Sequence, residues 1–106
     1  MTKIAPEKKY FLLKLIAPRP TFATVMTAEE AQIMANHADY LKKYLDKGIV
    51  IVMGPVLDPA GSYGVAIMEV TLEDEIRAII AKDPTILSGR GFRYEIYPML
   101  RAAVRR

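Results

Sequence analysis

The sequence predicts an α+β fold with elements in the order β-α-β-β-α-β, and three observations carry that expectation. Four short runs, at residues 10–17, 49–53, 62–71 and 92–98, are apolar or alternating and rich in β-formers. Between them lie two longer segments, opening at Thr27 and Thr71, with helix caps and helical spacing. The strand runs are largely apolar on both faces, as in a sheet covered on both sides.

Residues 10–17 (YFLLKLIA) form the first strand, too short for a typical helix and ended by Pro18 and Pro20. Residues 19–26 are a loop. Thr27 then opens a helix through the capping box Thr27-x-x-Glu30. Met34, Ala38, Leu41 and Leu45 fall on one stripe, with His37 and Tyr44 at its edge. Gln32, Asn36, Asp39, Lys43 and Asp46 face the other way. Gly48 supplies the left-handed residue that stops this helix. Residues 49–53 (IVIVM) form the second strand, broken by Gly54-Pro55 and followed by turn residues Asp58 to Gly61.

In the third strand, residues 62–71, Val65 and Ile67 share one face, and Ala66, Met68 and Val70 the other. Thr71 caps the second helix, Ile76, Ile79 and Ile80 form its buried stripe, and Glu73 pairs with Arg77. Asp83-Pro84 ends it, and residues 85–91 are a loop. In the last strand Phe92, Tyr94 and Ile96 oppose Arg93, Glu95 and Tyr97.

This order is the split βαβ, or ferredoxin-like, arrangement: a four-stranded antiparallel sheet with two helices on one face. The other face lies bare. Strands of ~7 residues give it an area of ~400 Å², the size at which an apolar patch calls for a partner. The second strand falls at the sheet edge, and residues 49–53 show no charge, bulge or proline to blunt it. The expectation is a homodimer or higher even oligomer, with sheets face to face and edges paired.

Composition narrows the function. A chain of 106 residues is expected to be one domain, with loose ends at residues 1–9 and 101–106. The absence of cysteine excludes disulfides, thiolate metal sites and cysteine nucleophiles. No apolar run reaches the ~18 residues of a membrane span, and no signal peptide is visible, so a cytoplasmic protein without membrane contact is expected. The net charge of +3 gathers at the two ends and forms no basic stripe, which argues against nucleic acid. The carboxylates show no metal-ligand spacing, and Gly89-Arg90-Gly91 lacks the phosphate-loop frame. Neither Ser62 nor Ser88 has a base nearby in sequence. Nothing implies a cofactor.

His37 is the one histidine, and imidazole is the side chain suited to proton transfer near neutral pH. Its structural role would be a half-buried ring bonded to a carbonyl. A base needs an orienting partner. Asp39 lies about 200° around the helix and cannot serve. Asp46, Asp58 and Asp83 remain, Asp83 being of most interest because Pro84 restricts its backbone. Asp83 could equally serve only to end the helix. Arg93 is a candidate for holding an anionic group.

Three segments in this order, residues 37–58 (HADYLKKYLDKGIVIVMGPVLD), 82–84 (KDP) and 91–99 (GFRYEIYPM), resemble the YciI-like, or YCII-related, family over residues 10–99. The resemblance implies a dimeric α+β barrel built from ferredoxin-like subunits. It also implies a cleft with a histidine and an aspartate, mapping onto His37 and Asp83. Some relatives resemble lyases of chlorinated hydroxyquinols, and the wider superfamily includes isomerases and small monooxygenases. By that analogy the expected function is a cofactor-independent lyase or isomerase, with His37 and Asp83 moving a proton on a small cyclic or carbonyl-bearing substrate. The competing readings are a non-catalytic homodimer that binds a small molecule or partner, and a purely structural oligomerisation module.

Overall fold

The computed structural model describes residues 7–105. In chain order it contains β1 (Lys9–Ile16), α1 (Ala28–Asp46), β2 (Val50–Val56), β3 (Tyr63–Val70), α2 (Glu73–Ala81), a single-turn α3 (Pro84–Leu87) and β4 (Arg93–Pro98). The strands form one antiparallel sheet in the order β2-β3-β1-β4, the ferredoxin-like arrangement. Of the expected loose arm, residues 1–6 lie outside the described residues, and Lys9 already belongs to β1. Residues 101–105 have no regular structure, and residue 106 lies outside the description.

The register fixes which side chains meet the helices. Phe11, Leu13 and Leu15 of β1 lie beside Met68, Ala66 and Gly64 of β3, and beside Pro98, Ile96 and Tyr94 of β4. Phe11, Leu13, Ala66 and Met68 pack with Leu41 of α1 and with Ile76 and Ile79 of α2 into the main core. A second cluster of Leu15, Phe22 and Phe92 closes one end, the two phenylalanine rings meeting edge to face at 5.2 Å. Leu12, Ile16, Val65 and Ile67 share the opposite face with Lys14, whose ammonium lies 4.3 Å from the Tyr63 ring centre.

The first helix is capped as its sequence predicts. The Glu30 N–H donates to the Thr27 hydroxyl, and the Thr27 N–H donates to the Glu30 carboxylate. At the other end Gly48 takes a φ of +80°. The N–H groups of Gly48 and Ile49 donate to the carbonyls of Leu45 and Tyr44, the double bond of a Schellman stop. Glu30 also receives both terminal nitrogens of Arg19, at 2.8 and 2.7 Å, and Arg19 donates to the Val25 carbonyl. This fork ties residues 19–25 to the start of α1.

Four expectations need correction. The inward face of α1 is turned relative to the aliphatic stripe: Ala38 and Leu45 are exposed, while Glu30, Ile33, His37, Tyr40 and Tyr44 point in with Met34 and Leu41. A stripe drawn from apolar residues discounts polar ones, yet Glu30 and His37 go inside because Arg19 and the buried Asp83 partner them. Gly54-Pro55 does not break the second strand. β2 runs through it to Val56, with a register shift between Val50 and Val52. An irregular register and a proline are the devices that blunt an edge, so the expected bare edge is not present. The start of α2 is held by Glu75, whose carboxylate accepts from the N–H groups of Thr71 and Leu72, and not by the Thr71 hydroxyl. Finally, Pro84 begins a short helix where a loop was expected, its fixed φ suiting a first helical position.

Candidate functional site

Asp83 is the N-cap of α3, and its side chain accepts from the Thr85 N–H at 2.9 Å. It is wholly buried, 0% exposed. A carboxylate in that position would be driven to its neutral form unless several donors met it. Four do. The Thr85 hydroxyl donates at 2.8 Å, the Tyr94 hydroxyl at 2.5 Å, and His37 Nδ1 stands 3.0 and 2.9 Å from the two oxygens. Burial alone would raise the Asp83 pKa. The bonds from His37, Tyr94 and Thr85 outweigh it and hold the group below its ordinary value.

The ionised carboxylate only accepts, so Nδ1 of His37 carries its hydrogen toward Asp83. In the neutral ring the lone pair then sits on Nε2. Burial and the neighbouring carboxylate both push the Tyr94 hydroxyl far up, so Tyr94 stays a donor. Tyr40, raised first by its own burial, donates to the Ile79 carbonyl at 2.6 Å and fixes α1 against α2 nearby.

His37 and Tyr94 lie in the wall of a cavity of about 260 Å³ between α1, the loop before it and the sheet. Most of the wall is apolar: Leu13 and Leu15 from β1, Phe22 and Met26 from the preceding loop, Met34 from α1 and Met53 from β2. His37 Nε2 has no hydrogen-bond partner among the described residues and is not sealed off, since no fully buried side-chain nitrogen or oxygen lacks a bond. It is the accessible polar atom of a hydrogen-bonded pair that opens onto an apolar hollow. Such an atom can take or give a proton.

Of the aspartates considered for His37, the structure brings Asp83 to it. Asp39 and Asp46 are exposed on α1, and Asp58 accepts from the Ala60 N–H in its own turn. Arg93 lies on the opposite face of the sheet, bound to Glu95 at 2.7 Å, and does not reach the cavity. From the sequence, Tyr94 was one of four tyrosines (with Tyr10, Tyr63 and Tyr97) that could line a pocket, and neither it nor Thr85 was identified as a partner of Asp83. Their signals were present: Asp83-Pro84-Thr85 reads as a capped helix start, and a tyrosine alternating with Phe92 and Ile96 turns its hydroxyl inward, where it requires a partner. Among the described residues, no three histidine or acidic side chains gather closely enough to hold a metal ion.

The model of the YCII-related domain matches residues 10–100. No curated protein matches the chain. Among solved structures, an uncharacterized protein from Thermotoga maritima superimposes with a TM-score of 0.51 at 12% identity, covering 88% of this chain and 99% of its own. That likeness speaks for the fold alone.

Proposed function

The chain belongs to the YCII-related domain family, and from that premise we propose that it is a lyase- or isomerase-like enzyme that moves a proton on a small cyclic or carbonyl-bearing molecule. The observation that carries the reading is the buried Asp83 held to Nδ1 of His37, a residue that lines the cavity. In the proposed step Nε2 removes a proton from a carbon beside the carbonyl. Asp83 fixes the ring tautomer and stabilises the imidazolium, which then returns the proton to a second position or to a leaving group. A positioned base of this kind contributes about 10²–10⁴-fold, so the hollow must supply orientation as well.

Incorporation of solvent deuterium into a panel of cyclic ketones tests the step. Wild type should exchange the protons beside the carbonyl, and His37→Gln should lose that exchange. Exchange that persists in His37→Gln would defeat the reading. A non-catalytic binding protein is the second reading, and the polar atom converging on the hollow speaks against it.

We also propose a homodimer closed over the bare sheet face. Its support is the apolar set of Leu12, Ile16, Val65 and Ile67 on that face. Edge-to-edge closure through β2 is not part of the proposal, given the register shift and Pro55.

A further inference from the structure

The geometry points to a neutral guest: we infer that the cavity takes an uncharged, mostly apolar molecule of one or two rings and rejects carboxylates of the same shape. The inference rests on the proposed role of His37 and names the class of molecule that role would serve.

Three observations lead there. First, among the described residues, no lysine or arginine lines the cavity. The cations that could have done so are committed elsewhere. Arg19 forks onto Glu30, Arg90 pairs with Glu29, and Lys14 and Arg93 lie on the far side of the sheet. Second, an ionised carboxylate already stands behind the imidazole, Asp83 Oδ2 lying 2.9 Å from Nδ1. A ligand anion at Nε2 would face a like charge across one ring, in surroundings too apolar to screen it. Protonating the imidazole would relieve this only in part, because that charge is already matched by Asp83. Third, apart from Ser62 and the hydroxyl-bearing Tyr63 and Tyr94, the remaining side chains of the wall are aliphatic, aromatic or thioether. Met26, Met34 and Met53 adapt to guests of varied outline but offer no strong donor. The volume of about 260 Å³ lies at the small end for ligand sites. An anion would therefore lose its water and gain no countercharge, whereas a neutral ketone loses little.

A matched pair of probes on the intact chain decides the matter: 2-tetralone, neutral, and 1,2,3,4-tetrahydro-2-naphthoate, the carboxylate on the same bicycle. Binding is read from the methyl signals of isotopically labelled methionines at pH 7.5. Tetralone should shift Met34 and Met53 saturably, and the carboxylate should bind roughly 100-fold more weakly. Ala38 is exposed on α1 yet borders the cavity, so Ala38→Arg adds a cation at the rim without entering the core. It should strengthen carboxylate binding at least ~10-fold.

Equal or tighter binding of the carboxylate by wild type would overturn the inference, as would the absence of any shift with tetralone. Selective tetralone binding without deuterium exchange would defeat the catalytic reading and leave this one standing. Exchange on ketones together with tight carboxylate binding would do the reverse.

Discussion

At the scale of single residues, the site depends on how many donors meet one carboxylate. Removing the Tyr94 hydroxyl leaves Asp83 with His37 and Thr85, so the ion survives with one bond fewer. Tyr94→Phe should therefore fold and lose about 1.5–3 kcal/mol, read from urea unfolding, since a hydrogen bond to a charged group is worth that much. Asp83→Asn is harsher. Its amide brings hydrogens where donors already point, and a loss of about 3–5 kcal/mol is expected by the same measurement.

Acid acts on a second carboxylate. Hydrogen bonds from Arg19, then the Thr27 N–H, hold the Glu30 pKa at about 2, against an ordinary value of 4.5. Because the folded value is the lower one, this stabilisation is fully present above pH 4.5 and is lost as the pH falls toward 2. Asp83 shifts in the same direction. Unfolding measured across that interval should show a shallower fall for Glu30→Gln than for wild type. Parallel curves would mean that Arg19 and Glu30 are not joined in solution.

At the scale of elements, both ends of α1 were legible because each is determined by local chemistry. Thr27 and Glu30 answer each other three residues apart, and Gly48 adopts a backbone conformation that other residues avoid. Gly48→Ala should cost roughly 1–2 kcal/mol by thermal unfolding. A new Cβ there would meet nothing within 4 Å, so backbone strain would account for the whole effect. The inward face of α1 was less legible. His37 and Glu30 are turned inside by partners on α3 and in the 19–25 loop, and the sequence of the helix itself says nothing of either. β2 was cut short for a similar reason. Gly54-Pro55 breaks a strand in isolation, but β3 supplies pairing on one side, and an edge strand is where a proline is tolerated. The Asp83–His37 contact bridges 46 positions of chain, and only the packing of α3 against α1 closes it. The sequence offered three candidate aspartates; Pro84 made Asp83 the one of most interest, and the resemblance then pointed to the same residue.

At the scale of the whole molecule, the sheet is dressed on one side only. The helix-facing side holds nearly all of the core, while Leu12, Val65 and Ile67 on the other side keep partial exposure beside the charged side chains of Lys14, Glu69, Arg93 and Glu95. Sedimentation at increasing concentration should show two-chain particles for wild type. Ile67→Asp should yield single chains that remain folded, because its side chain lies outside the main core. The order of the strands and of the two longer helices was visible in the sequence, as were the caps of α1 and the two-sided apolar character of the strands. What two strangers along the chain do when they meet was not. That meeting has a practical corollary. Since the chain has one histidine, its magnetic resonance spectrum holds a single pair of imidazole carbon-bound protons, and these report on the hollow without any assignment work. A guest or a broken tether to Asp83 would each move the same two lines, so the protein carries its own built-in indicator.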